Sequence, residues 1–187
     1  MTISGFSFVR NATKLYYPVK ESIESILPIV DEFVIALGKG DADDHTLAEI
    51  QQIKSEKIRI VHTEWDLQTY THASVYAQQT DVAKNACKGD WLFYLQSDEV
   101  IHEKYLPLIR ARCEELLEDR EVEGLLFKYR HFGGIIRGIW FRIPGIPKRS
   151  VSFVMTPLFI PGRMRNRSGV FLILTGRIIS RSKIHLS

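Results

Sequence analysis

Between Gly89 and Val100 the chain reads GDWLFYLQSDEV. A small turn feeds five apolar residues, Trp91 to Leu95, and the run stops at Asp98 and Glu99. A continuous apolar run of this length, bounded by turn residues, is the pattern of a central strand covered on both faces. Open α/β sheets bind their ligands just beyond the carboxyl ends of such strands. Two carboxylates in that place are suited to join a divalent cation to a phosphate-bearing ligand. A purely local role competes with this one. Asp98 would then cap the helix that follows, and Glu99 would be a solvated first-turn residue.

Patterning on either side of this run points the same way. Ile3 to Val9 reads as a strand with Arg10 and Asn11 as its polar exit. Pro18 and Val19 open a helix with Ile23, Ile26 and Leu27 on one face. Phe33 to Leu37 is the next strand, followed by the polar loop GDADDHT and a short helix around Leu47 to Ile53. Ile58 to His62 is a third strand. A helix over Ala73 to Asn85 turns Val75, Tyr76, Val82 and Ala83 inward. After the Trp91 strand, helical spacing returns through Leu106, Ile109, Cys113 and Leu116, and Gly124 to Tyr129 is a further strand. Strands alternating with helices predict parallel crossovers and an open, mostly parallel α/β sheet flanked by helices.

The overall charge of +3 hides a division. Residues 133–187 hold ten basic side chains and no acidic one, so all 22 Asp and Glu lie in residues 1–132. Glycine or proline recurs every few residues in that tail, which has neither helical nor strand period for long. Phe171 to Leu174 and Ile178 to Ile179 are its strand candidates. The expected organisation is a core over 1–132 and a basic Gly/Pro-rich tail over 133–187. The two cysteines, Cys87 and Cys113, have no metal-binding or disulfide spacing, so free thiols are expected. No signal-peptide pattern and no long uncharged apolar run is visible. His62, His72 and His102 are isolated and show no metal-ligand spacing.

Four pieces of the first 130 residues together resemble the nucleotide-binding half of family 2 glycosyltransferases, which have the GT-A fold. They are the first strand with Phe8-Val9-Arg10-Asn11, the second strand DEFVIALGKGD with its Asp-rich loop ending in Asp44-His45-Thr46, the third strand KIRIV, and Lys88-Gly89-Asp90-Trp91 leading into LFYLQSDE. The resemblance implies transfer of a sugar from a nucleotide-sugar donor to a glycan or lipid-linked acceptor, with Mg²⁺ or Mn²⁺, in cell-envelope polysaccharide synthesis. It implies a cytoplasmic protein, at the inner face of the membrane where peripheral association would place it. Asp98 would reach the cation that bridges the donor diphosphate, and Glu99 would support it. The family's acidic motif has two aspartates separated by one residue; here Gln96 takes the first position, where it can hydrogen-bond but cannot supply a charged ligand. The carboxylate usual at the end of the second strand is also missing, so Asp41, Asp43 or Asp44 must substitute. Arg10, Asn11, Trp65 and His72 complete the donor-site set that the resemblance implies.

The second half of such enzymes usually supplies a carboxylate base that deprotonates the acceptor hydroxyl. Residues 133–187 contain none, so the catalytic base is not assigned, and transferase activity is expected to be weak or absent. The tail is expected to be poorly packed. A frame shift accounts for these features together. One permitted back-translation of GGIIRGIWFRIPGIPKRSVSFVM, read in another frame, gives DYPRYLVSHTWYPKEIRIVRN, which regains acidic residues and an alternating strand. Two alternatives remain open: a nucleotide-binding module without transfer activity, and a protein whose basic tail binds nucleic acid. The acidic core speaks against the second, and no nucleic-acid partner is expected.

Overall fold

A computed structural model describes residues 1–69, 72–120, 122–125, 127, 158–159 and 179–180; at 72–73, 158–159 and 179–180 it describes the backbone alone. The strands are β1 (Ile3–Val9), β2 (Glu32–Gly38), β3 (Ile58–Thr63), β4 (Trp91–Tyr94), β5 (Val122–Leu125), β6 (Leu158–Phe159) and β7 (Ile179–Ser180). The helices are α1 (Val19–Ile26), α2 (Thr46–Gln51), α3 (His72–Ala86) and α4 (Leu106–Leu116), with a 3-10 turn at Glu103–Tyr105. One sheet runs in the order β3-β2-β1-β4-β6-β5-β7. β1 pairs in parallel with β2 and β4, and β2 in parallel with β3. The sheet is more mixed than expected, because β6 pairs antiparallel with both β4 and β5, and β7 antiparallel with β5.

The Trp91 run is a central strand as its apolar character requires. It lies between β1 and β6, and Trp91, Phe93 and Leu95 are fully buried. Strand alternation divides the core. Val9, Phe33, Ile35, Leu37, Trp91 and Phe93 face α1, α2 and α4, whereas Phe6, Val34, Ala36 and Leu92 pack with Ala83 of α3. Trp91 donates its indole N–H to the carbonyl of Cys113, 3.0 Å away, which ties the strand to α4. The inward face of α4 is the one its spacing predicts, with Leu106, Ile109, Cys113 and Leu116 buried. Both cysteines are free thiols, and burial pushes each up to about 12.

Some expectations shift. α2 begins and ends earlier than its apolar residues indicate, and β5 starts at Val122. Tyr76 does not turn inward; its side chain is half-exposed and covers the rings of Phe8 and Trp65. Gln79 takes the buried position instead. His72 opens α3 rather than lying in the preceding loop. Ile179 falls in β7, while Phe171 to Leu174, the frame-shift segment and the expected packing of the tail lie outside the described residues. Among the described residues, no helix is long and apolar enough to cross a membrane.

A polar knot fixes the strand register at the amino-terminal edge of the sheet. Ser4 Oγ donates to Glu32 (2.7 Å) and accepts from the Gly89 N–H (2.7 Å). Glu32 also accepts from the Lys88 N–H (2.7 Å) and from Arg59 (3.0 Å). A β-carbon on Gly89 would stand 2.6 Å from the Ser4 nitrogen, so this close approach needs glycine. Burial raises the Glu32 carboxyl pKa, but the hydrogen bonds from Ser4, Arg59 and Lys88 and the Arg59 charge outweigh it and hold the group below its ordinary value. A carboxyl depressed in the folded state contributes stability above its unfolded pKa, which is lost as pH falls through the folded value. Glu32→Gln should therefore flatten the fall in melting temperature below about pH 4.5. Melting curves of the variant and the parent between pH 3 and 7, plotted together, check this, and parallel curves would count against the role.

Candidate functional site

Because β1, β2, β3 and β4 run in parallel, the segments leaving their carboxyl ends meet along one edge of the sheet. The segment after β1 folds into a turn closed by Leu15 N–H to Asn11 C=O (3.1 Å) and Tyr17 N–H to Ala12 C=O (2.9 Å). Asn11 takes a φ of 55°, which asparagine tolerates better than most residues. Its side-chain oxygen accepts from the Asp41 N–H at 2.9 Å. Arg10 donates to the Lys39 carbonyl (2.8 Å) and to Asp41 (3.3 Å), and its guanidinium lies 5.6 Å from the Trp65 ring centre.

The aspartates of the second loop divide their roles. Lys14 Nζ reaches Asp41 at 2.7 Å and Asp43 at 2.9 Å. Its hydrogen bonds to both raise the ammonium to about 12. The Lys14 and Asn11 hydrogen bonds hold the Asp41 carboxyl below its ordinary range, and Lys14 does the same for Asp43. Asp44 serves the fold. It accepts from Thr13 Oγ1 and Thr46 Oγ1, each at 2.7 Å, while Thr46 Oγ1 accepts from the Ala12 N–H at 2.7 Å. A β-carbon on Gly40 would lie 2.6 Å from Asp44 Oδ2, so a side chain there would displace this carboxylate oxygen. Thr13, Lys14 and Thr46 are site-building residues that sequence patterning did not single out. The only signal was the place of Thr46 at the end of the Asp-rich loop.

Between these loops opens a cavity of about 410 Å³. Leu37 and Leu47 give it apolar surface, Asp41 and Asp44 give acceptors, and His62, Thr63 and Glu64 line it from the β3 side. Among the described residues, the Thr63 hydroxyl is buried without a hydrogen-bond partner, and so is the indole N–H of Trp65. That N–H rests against Gly38, where a β-carbon would stand 2.4 Å from it. Trp65 belongs to an aromatic group with Phe8 (6.0 Å between centres) and Tyr76 (5.7 Å). Thr63 lines the cavity, so an oxygen atom of a ligand there would offset the cost of its buried hydroxyl.

The turn after β4 carries the acidic pair. Asp98 is exposed and accepts no hydrogen bond from a described residue, whereas Glu99 accepts from the Gln96 N–H at 3.0 Å. Asp98 does not cap a helix, since the next helical turn begins at Glu103 behind His102. Among the described residues no three His, Cys, Asp or Glu side chains form a metal-holding group. Magnesium and manganese are commonly held by one or two carboxylates together with substrate phosphates. Asp98 fits that mode of binding as a single carboxylate, and Gln96 and Glu99 do not add a preformed cage. The backbone of His72 is described but its side chain is not, so its expected place in the cleft lies outside the described residues.

No protein-family model matches the chain, and no curated protein matches it in sequence. Solved structures do match. S. aureus TarS aligns with a TM-score of 0.52 at 21% identity, over 74% of this chain and 23% of TarS. The TarS fragment 1–349 aligns with a TM-score of 0.50 at 21% identity, over 75% of this chain and 39% of the fragment. Glucosyl-3-phosphoglycerate synthase from Mycobacterium tuberculosis, solved with Mn²⁺, UDP and phosphoglyceric acid, aligns with a TM-score of 0.44 at 19% identity, over 66% of this chain and 41% of the synthase. The chain thus spans well under half the length of the structures it matches. The likeness to TarS shows the fold: this is an α/β chain of GT-A type, in agreement with the sequence resemblance.

The Thr46 hydroxyl is the joint between the first two loops. Thr46→Val keeps its shape and leaves the Ala12 N–H unsatisfied, so it should cost about 1–3 kcal/mol. Urea unfolding of both proteins measures this, and a change under about 0.5 kcal/mol would contradict the assignment.

Proposed function

We propose that this chain binds a nucleotide-sugar donor and is the donor-binding part of a glycosyltransferase. The observation that carries the reading is the cavity at the ends of β2 and β3. Its lining brings the Thr63 hydroxyl, buried without a partner among the described residues, together with the Asp41 carboxylate, and the exposed Asp98 carboxylate lies beyond the end of β4 on the same sheet edge. The GT-A fold supports it, because that fold is shared with TarS. In this reading the nucleoside enters the cavity and the diphosphate extends toward Asp98.

The residues of the chain then take distinct parts. Asp41, whose carboxyl is held in the ionised form, accepts hydrogen bonds from the nucleoside. Thr63 donates to its oxygen atoms, and Gly38, which also lines the cavity, leaves room for the Trp65 indole behind it. Arg10 braces Trp65 and the Lys39 carbonyl, which keeps the second loop in place. Asp43 and Asp44 belong to the frame rather than to the ligand. Asp98, with Gln96 beside it in the turn, would hold Mg²⁺ or Mn²⁺ against the diphosphate, and the cation would neutralise charge on that leaving group. The acceptor in this reading is a glycan or a lipid-linked sugar, reached from the cytoplasmic side of a membrane. A base for its hydroxyl must come from outside the residues assigned here. The absence of Asp and Glu in residues 133–187 favours a second reading, donor binding without transfer. Sequencing the codons for Tyr129 to Gly134 in independent clones tests the frame-shift account of that tail.

Calorimetry of the full chain with UDP-linked and other nucleotide sugars, with and without Mn²⁺, tests the donor site. Binding should strengthen with Mn²⁺ and weaken about tenfold or more in Asp98→Ala. That variant should melt at the parent temperature, since Asp98 is exposed. If no nucleotide sugar binds, or if Asp98→Ala binds as the parent does, the proposed site is wrong.

A further inference from the structure

Exposed apolar side chains are distributed unevenly over this fold. Among the described residues, Leu15, Tyr16 and Tyr17 are exposed in the turn that leaves β1, Leu67 in the segment that leaves β3, and Val100 in the one that leaves β4. Tyr76, Tyr105 and Leu108 stand in the early turns of the helical segments that these exits lead into. The opposite edge differs. Residues 27–31, 52–57 and 87–90, which enter β2, β3 and β4, expose charged side chains such as Lys54, Glu56, Lys57, Lys88 and Asp90, and no large apolar one. Single exposed apolar residues are ordinary on any surface, but their gathering at one end of a sheet is not.

The turn after β1 makes the strongest case. Tyr16 is 93% exposed and holds a φ of 57°, a left-handed conformation that a bulky side chain adopts only at an energetic cost. Its surroundings keep it there. The N–H groups of Leu15, Tyr16 and Tyr17 donate to the carbonyls of Asn11 (3.1 Å), Thr13 (3.3 Å) and Ala12 (2.9 Å). Thr13 and Ala12 are in turn tied to Asp44 and Thr46. A strained backbone thus holds an aromatic ring away from the protein on a stiff base.

We infer that this edge is the face by which the chain rests on a lipid bilayer, with Leu15, Tyr16 and Tyr17 entering the headgroup region. The exposed apolar side chains stand on separate loops with charged residues between them. A stable protein partner needs a continuous complementary surface of about 800 Å² on each side. A bilayer takes up separate side chains one by one, and tyrosine, with an apolar ring and a polar hydroxyl, suits its interface. Charge narrows the lipid. Asp43, Glu64 and Asp98 are exposed at the same edge, which matches uncharged headgroups rather than an anionic surface. The inference stands on the distribution of side chains and not on the donor site. Where both hold, the donor edge meets the same surface as a lipid-linked acceptor.

Co-sedimentation of the full chain with phosphatidylcholine vesicles, without nucleotide, tests this apart from the donor site. Uncharged lipid has no net charge to attract the ten basic side chains of residues 133–187. The parent should bind, and raising the salt to about 0.5 M should leave binding unchanged. Leu15→Ser combined with Tyr16→Ser should weaken it about tenfold or more. Tyr16→Gly accepts the φ of 57° without strain, so it should bind more weakly yet melt no lower than the parent. Brominated lipid should quench the added fluorescence of Tyr16→Trp and spare that of Lys54→Trp on the opposite edge. A parent that does not bind overturns the inference, as does a double variant that binds like the parent or equal quenching at the two positions. It is equally overturned if analytical ultracentrifugation shows a dimer that the double variant dissolves, since this face would then join two copies of the chain.

Discussion

The pairing of β1 with two parallel neighbours is the constraint on which the rest of the structure depends. A strand with a parallel partner on each side cannot slip by one residue without turning its whole apolar set to the wrong face. Phe6 is committed to α3 and Val9 to the opposite layer. Parallel pairing also decides where chemistry can occur. It sends the exits of β1, β2, β3 and β4 to one edge, so Arg10, the Asp41 loop, Trp65 and the Asp98 turn share a neighbourhood although they span almost ninety residues of chain. The other edge holds the knot around Glu32, which fixes strand register.

At the functional edge, stiffness comes from polar ties rather than from apolar packing. The loops after β1 and β2 are cross-linked by Asn11, Thr13, Lys14, Asp41, Asp43, Asp44 and Thr46. Several of these contacts are exposed ion pairs, each of small worth by itself. The buried Thr46 hydroxyl gives them a fixed centre, and backbone groups complete the set. Loops built in this way keep their polar surface available to a ligand while losing little freedom when one binds.

Legibility in the sequence followed the range of the interaction. β4 and α4 were readable because an apolar run and a helical spacing are local signals that burial then enforces. The inward faces of α1 and α4 match residue for residue at Ile23, Ile26, Ile109 and Cys113. The clamp between residues 11–14 and 41–46 was not readable, because it joins side chains some thirty positions apart and obeys no spacing rule. Tyr76 misled for a related reason. Helical period placed it inward, but its ring completes an aromatic surface at the rim, where Phe8 and Trp65 need cover more than the core needs another ring. The place of Asp98 and Glu99 just past a central strand was legible from the apolar run that precedes them. The hydrogen bond by which Glu99 closes that turn on the Gln96 N–H is a tertiary detail that composition cannot reveal.

The two cysteines give the fold a built-in clock. Cys113 lies in the core beneath β4, and its carbonyl holds Trp91; Cys87 closes the end of α3 beside the Glu32 knot. With both thiols pushed to about 12, almost no thiolate exists at neutral pH, and the buried Cys113 must also wait for the surrounding structure to open before a reagent reaches it. The rate at which the Cys113 sulfur is modified would report α4 lifting from the sheet, while the half-buried Cys87 serves as the reference. A cysteine introduced at an exposed position would react far faster than either. The native chain is thus already prepared for selective labelling, and its own sulfurs record when and where it comes apart.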